Sequence, residues 1–231
     1  MKISEIFGPT LQGEGPFIGQ KAVFIRTFGC IKPFCSFCDT PWALGCTKEK
    51  GKNMSVNSII RKVKKLMPDG GLVVITGGEP FIQKDIYELI NKCSINYPIQ
   101  IETSGKARIE NDKLLPIKIR NYSNRMHCNT MIVMSPKKYG YDNGWKIADI
   151  KTFNSADIYK FVIGSKEDAF EALNLVKYFD ENKSNVYFMP LGADRKTQLK
   201  NMPMVAELCI KHNVKMAPRL HTLIWDNKRG V

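Results

Sequence analysis

The chain has 231 residues, 43% of them hydrophobic and 25% charged, with a net charge of +13. That is the composition of a soluble globular protein with one α/β domain's length of chain, and no apolar run reaches the roughly 20 residues of a membrane-spanning helix. The opening "MKISEIFGPTLQGEG" sets Glu5 and Gln12 where a signal peptide needs an unbroken apolar core, so the expected setting is the cytoplasm.

In chain order, "AVFIRT" (22–27) reads as a strand. Val56, Ile59, Ile60, Val63, Leu66 and Met67 then follow helical spacing, with Ser55 as N-cap and "PDGG" (68–71) as the stop. The densest basic group, "RKVKKLM" (61–67), alternates with those apolar positions and so reads as a solvated helix face. The other basic residues are spread along the chain, and no stable nucleic-acid or membrane binding is expected.

"LVVIT" (72–76) is wholly apolar and β-rich, as a strand covered on both faces must be. Ile86, Leu89, Ile90 and Cys93 mark the next helix. "IQIET" (99–103), "MIVMS" (131–135), "DIYKFVI" (157–163) and "NVYFM" (185–189) supply further strands, and "VKMAP" (214–218) a last one. Helices are expected around 168–179 and 204–212, and an irregular insertion near 106–130. Alternating buried strands and amphipathic helices predict a single α/β domain over 1–231 with mostly parallel strands, built as a partial (β/α) barrel. A doubly wound open sheet has the same periodicity.

The strand ends carry the unusual residues. The cysteine loop "GCIKPFCSFCDT" (29–40) follows the first strand, and "GGEP" (77–80) the second. "ETSG" (102–105), "SPK" (135–137) and "MPLG" (189–192) lie at the ends of later strands. In a barrel these ends share one rim, where chemistry concentrates.

Cys30, Cys35 and Cys38 are spaced C-x₄-C-x₂-C. Thiolates suit zinc, copper(I) or iron–sulfur clusters. Cys46 or the His127-Cys128 pair could complete a four-ligand zinc site. Alternatively, three thiolates leave one iron of a [4Fe–4S] cluster open to a further ligand. Cys93 and Cys209 fall on apolar helix faces and read as buried free thiols.

The cysteine loop followed by "GGEP" resembles the radical S-adenosylmethionine superfamily, whose ordinary spacing is one residue shorter in the first gap. "EIFGPTLQGEG" (5–15), "FIRTFGC" (24–30), "CDT" (38–40), "ETSG", "SPK" and "LHTLIWDNKRGV" (220–231) together resemble the 7-carboxy-7-deazaguanine synthase family across the whole chain. The resemblance implies radical-mediated contraction of 6-carboxy-5,6,7,8-tetrahydropterin to 7-carboxy-7-deazaguanine with loss of ammonia, in queuosine and deazapurine biosynthesis. It also implies a [4Fe–4S] cluster on Cys30, Cys35 and Cys38, S-adenosylmethionine, Mg²⁺ on Thr40, an electron donor such as flavodoxin or ferredoxin, and a homodimer. A glycyl-radical activase and a zinc-bearing nucleic-acid module are the alternatives.

On that resemblance, Gln12, Gly13, Glu14, Arg26, Lys160 and His221 are expected to bind the pterin, with Arg26 forked onto its carboxylate. Phe37, Gly77, Gly78, Glu79, Glu102, Ser104, Ser135 and Lys137 are expected to bind S-adenosylmethionine, the glycines by close backbone approach. Asp39 is expected to orient the Mg²⁺ shell, and Arg229 to help close the pocket.

Overall fold

Runs of β-branched residues without polar alternation need cover on both faces, and these runs form the middle of the sheet. The computed structural model describes residues 1–110, 130–138, 145–146, 152, 154–178 and 185–231. The strands are β1 (Lys2–Leu11), β2 (Lys21–Thr27), β3 (Lys52–Asn53), β4 (Leu72–Gly77), β5 (Ile99–Thr103), β6 (Thr130–Met134), β7 (Lys137–Lys138), β8 (Trp145–Lys146), β9 (Ile158–Ile163), β10 (Val186–Pro190) and β11 (Lys215–Met216). The helices are α1 (Val56–Leu66), α2 (Ile86–Cys93), α3 (Lys166–Tyr178), α4 (Arg195–His212) and α5 (Leu220–Trp225).

Nine strands pair in the order β11-β10-β9-β6-β5-β4-β2-β1-β3, and β7 pairs with β8 apart from them. From β2 to β11 every pairing is parallel, and each later strand joins the same growing edge. A doubly wound sheet reverses its strand order partway; this one does not, and the partial-barrel expectation holds. All the parallel strands therefore end on one rim.

The core is the sheet face packed under the helices. Ile25, Ile75 and Ile101 from the strands meet Ile59, Val63, Leu89 and Ile90 from α1 and α2, while Phe161 and Phe188 meet Ala172, Val176 and Val205 from α3 and α4. Cys93 and Cys209 are buried there, as expected, and burial pushes their thiols up to about 12 and about 11. Ser55 caps α1 by accepting from the Ser58 amide at 3.3 Å, and Asp194 caps α4 from the Thr197 amide at 2.8 Å.

Four features depart from the expectations. β1 was not foreseen as a strand; it pairs antiparallel with both β2 and β3, with a bulge between Phe7 and Thr10. α4 begins at Arg195 and runs through Pro203 instead of starting near 204. β11 covers only Lys215–Met216, and α5 was not anticipated. Of the expected insertion, 111–129 lie outside the described residues; Ala107 and Ile109 pack in the core, and Thr130 begins β6. No helix among the described residues is long and apolar enough to cross a membrane.

Candidate active site

The rim is laced together by backbone before any side chain acts. After β2 the chain turns at Gly29 into the cysteine loop. The Gly29 amide donates to Ala43 O at 2.8 Å, the Cys30 amide to Leu44 O at 3.1 Å, and the Glu79 amide to Gly29 O at 2.8 Å. A Cβ on Gly78 would fall 1.9 Å from Gly29 O, and one on Gly77, at φ 132°, would fall 2.3 Å from Thr27 O. Only glycine fits where these loops meet.

Glu79 sits beneath that junction with 0% exposure. One carboxylate oxygen accepts from the Thr103 hydroxyl at 2.7 Å and the Phe81 amide at 3.2 Å. The other accepts from the Ser104 hydroxyl at 2.6 Å and the Ser104 amide at 2.9 Å. Its acceptor positions are filled by protein. Glu79 therefore ties "GGEP" to "ETSG" and does not line the pocket, and the Ser104 hydroxyl spends its hydrogen bond as donor on it.

Cys30, Cys35, Cys38, Phe37, Asp39 and Thr40 line a cavity of about 260 Å³ together with Gly77, Gly78, Ser104, Ser135 and Lys137. Burial, with the Glu79 charge adding, pushes the Cys30 thiol up to about 11; burial also raises Cys38. These thiols hold their protons at neutral pH until a metal displaces them. The Lys106 ammonium donates to the carbonyls of Ile31 at 2.7 Å and Pro33 at 2.9 Å, pinning the loop from outside.

Among the described residues, no three His, Cys, Asp or Glu side chains converge as a single-ion site requires. The three thiols line one pocket, and a cluster that takes one thiolate per iron can use all three. Cys46 is exposed and does not line the pocket; the His127-Cys128 pair lies outside the described residues. An iron–sulfur cluster fits this donor set, and Gly77 and Gly78, packed on the backbone of Thr27 and Gly29, line the cavity beside it.

The opposite wall is a buried charge network. The Lys160 ammonium, on β9, donates to Glu14 and stands 3.8 Å from Glu102. Arg219 donates to Glu14 at 3.0 Å, to Gly192 O at 2.9 Å and to Asp39, and touches His221 Nε2 at 3.3 Å. Burial works to raise the Glu14 pKa, but Lys160 and Arg219 outweigh it and hold the carboxyl well below the usual range. Burial likewise works against the Lys160 charge, and Glu102 and Glu14 reverse that. Glu102 also accepts from Thr76 at 2.9 Å, Gln100 at 2.8 Å and Gln12 at 3.3 Å.

Lys137 differs from these. Its ammonium donates to Ser135 Oγ at 2.6 Å, and no carboxylate among the described residues pairs with it. Burial, and then the Lys160 charge, lower its pKa. A half-buried ammonium in this state favours an anionic ligand.

At the mouth, Arg26 donates from Nε to Glu5 at 2.8 Å and lies over the Phe7 ring, 5.7 Å from its centroid. Its terminal nitrogens make no hydrogen bond within the described residues. Arg229 binds Glu5 and Glu49, both at 3.0 Å, and covers the Trp42 ring at 4.5 Å, strapping the tail of the chain across the opening.

The expected residues thus converge on one pocket, apart from Glu79 and Gly13 behind its wall. A Cβ at Gly13 would fall 2.0 Å from His221 Nδ1, so Gly13 makes room for His221. Gln12 is spent within the wall: it donates to Glu102, and its carbonyl accepts from the Glu14 amide at 3.2 Å. Arg219 and Lys106 were missed. Isolated in sequence, one between Pro218 and Leu220 and one at the start of a polar segment, they gave no periodic or motif signal.

Residues 24–129 match the model of the radical SAM superfamily. The 7-carboxy-7-deazaguanine synthase of Hyperthermus butylicus is 31% identical over 97% of this chain and 92% of its own length. That of Clostridium acetobutylicum is 31% identical over 96% of both. Among solved structures, QueE from Escherichia coli superposes with a TM-score of 0.72 at 26% identity, covering 95% of this chain and 94% of that one. SuiB from Streptococcus suis shares the fold at a TM-score of 0.58 and 15% identity, over 87% of this chain and 50% of its own.

Proposed function

The chain belongs to the 7-carboxy-7-deazaguanine synthases of the radical S-adenosylmethionine superfamily, and from that premise we propose that the rim pocket is its active site. The reaction is the ring contraction of 6-carboxy-5,6,7,8-tetrahydropterin to 7-carboxy-7-deazaguanine with loss of ammonia. A [4Fe–4S] cluster with S-adenosylmethionine, when bound, supplies one-electron cleavage of the sulfonium and hydrogen abstraction from the substrate. The glycyl-radical activase and zinc-module alternatives are not favoured by relatives of matching name over nearly the whole chain.

The observation that carries the assignment of residues is the pocket's two-sided construction: thiols and glycines on one wall, ion-paired carboxylates and cations on the other. Cys30, Cys35 and Cys38 hold the cluster. Gly77 and Gly78 offer backbone to the amino-acid end of S-adenosylmethionine, and Lys137, beside Ser135, neutralises its carboxylate. Phe37 and Ser104 border the same ligand. Thr40 offers its hydroxyl to Mg²⁺, a hard ion that prefers oxygen. Across the cavity, the free edge of Arg26 receives the pterin carboxylate, Glu14 presents an acceptor to the pterin ring, and His221 borders it. Glu102, Lys160 and Gln12 hold Glu14 in place, while Glu79 and Gly13 shape the walls.

The chain works as one domain over 1–231, as a homodimer in the cytoplasm, with flavodoxin or ferredoxin as reductant. The deciding experiment is anaerobic. Reconstituted protein should be brown and hold about four irons and four sulfides. Given reductant, S-adenosylmethionine, Mg²⁺ and the carboxy-tetrahydropterin, it should release the deazapurine and ammonia. A loaded protein that makes no product refutes the substrate assignment. Cys30→Ala, Cys35→Ala and Cys38→Ala should each abolish turnover while Cys93→Ala retains it.

A further inference from the structure

We propose that Arg219 is a positioning residue: it fixes the orientation of His221 as a neutral imidazole with its proton on Nδ1, holds Glu14 in register, and fastens both to Asp39 in the cysteine loop. This rests on the pocket being the pterin site. Arg219 stands just ahead of α5, 9% exposed, where the chain returns to the rim. Its guanidinium spends Nε on Glu14, Nη1 on the Gly192 carbonyl, and Nη2 on Asp39 and His221. One planar group thus joins four segments that are far apart in sequence.

The contact with His221 carries chemical information. A guanidinium has five donors and no acceptor, so at 3.3 Å His221 Nε2 can only accept from it. The imidazole is then neutral, with its proton on Nδ1. No other hydrogen bond to His221 exists among the described residues; its Nδ1 packs against Gly13, where a Cβ would fall 2.0 Å away, while the residue lines the cavity. Burial, opposed by Glu14 and helped by Arg219, keeps the imidazole below its ordinary pKa, in agreement with that tautomer.

The contact with Asp39 sets geometry. Asp39 lies between Cys38, a cluster residue, and Thr40, offered to Mg²⁺. Glu14 sits on the substrate wall. A fork that holds both carboxylates fixes the distance between the cofactor side and the substrate side of the cavity. Lysine, a point charge on a flexible stem, cannot hold both while donating to His221 and Gly192.

The test compares reconstituted wild type with Arg219→Gln and Arg219→Lys, and uses Asp39→Asn and His221→Gln as references. In Arg219→Gln the pterin KM should rise about tenfold or more, with a smaller fall in kcat. The acid limb of kcat/KM should move up toward about 6.5, the ordinary histidine value, and His221→Gln should remove that limb. The electron paramagnetic resonance signal of the reduced cluster with S-adenosylmethionine should be unchanged, which a general collapse of the pocket would not allow. Arg219→Lys should restore the acid limb and only part of the KM, and Asp39→Asn should raise the Mg²⁺ concentration needed for half-maximal rate.

Wild-type KM and acid limb in Arg219→Gln overturn the proposal. If that variant does not hold its cluster, Arg219→Lys decides: full wild-type behaviour there overturns it equally. An inactive wild type would refute the pterin reading itself, whereas an active wild type with indifferent Arg219 variants refutes only this inference.

Discussion

Replacing Lys160 with methionine removes a buried cation while keeping the length of its stem. Lys160 is 4% exposed on β9, and its ammonium holds Glu14 and faces Glu102 at 3.8 Å. In Lys160→Met, Glu14 keeps Arg219 as partner, and Glu102 keeps the donors from Thr76, Gln100 and Gln12 but loses its cation. Breaking a buried ion pair by removing one partner costs about 3–5 kcal/mol; the retained hydrogen bonds place this case near 3 kcal/mol. For a chain of this length that lowers Tm by about 6–12 °C. The assay is thermal unfolding by circular dichroism, without oxygen and at fixed cofactor loading, because bound ligands shift Tm by mass action. Adding Glu102→Gln to Lys160→Met should recover part of the loss, since it removes the stranded charge. A Tm within about 2 °C of wild type, or further destabilisation in the double variant, would refute the claim that the network's charges are mutually dependent.

Gly78→Ala should abolish S-adenosylmethionine binding, read as loss of its effect on the spectrum of the reduced cluster, because the added Cβ lands 1.9 Å from a backbone oxygen that cannot move away. Gly13→Ala should raise the pterin KM with iron content unchanged, since its Cβ would fall 2.0 Å from His221 Nδ1 and displace that ring; iron loss would contradict this. The pH dependence of stability follows from Glu14. Its folded pKa is depressed, so the unfolded chain takes up the proton first. The stabilisation is complete above the unfolded glutamate value of about 4.3 and disappears as pH falls through the folded value. Urea midpoints should therefore drop below about pH 4.3 in wild type and drop less in Glu14→Gln.

The centre of the sheet was legible because burial writes itself into composition. "LVVIT" lacks polar alternation, and the structure covers both faces of β4; "IQIET" alternates, and its Gln100 and Glu102 meet in the charge network. β1 was hidden because "KISEIFGPTL" belongs to an antiparallel strand near the sheet's edge, where polar residues are tolerated and a bulge absorbs the Gly-Pro step. The first half of α4 was masked by Lys, Thr, Gln and Asn and by Pro203, and is held by Asp194 capping and burial of Gln198. Within the site, residues in compact strings were visible: the cysteines, "GGEP" and "SPK". Arg219 was not. It meets Glu14 across 205 positions and Asp39 across 180, and no local pattern encodes a contact of that range.

The meeting of Gly29, Gly77 and Gly78 separates two kinds of adaptability. On that side the mould is main chain, and a side chain added at Gly77 or Gly78 collides with the backbone of Thr27 or Gly29, so the proposed berth for S-adenosylmethionine is closed to redesign. On the far side, the proposed recognition of the pterin depends on side chains such as Glu14, Arg26 and His221, which are held by other side chains. Attempts to make such a scaffold accept a different heterocycle should leave the first wall alone and vary the second.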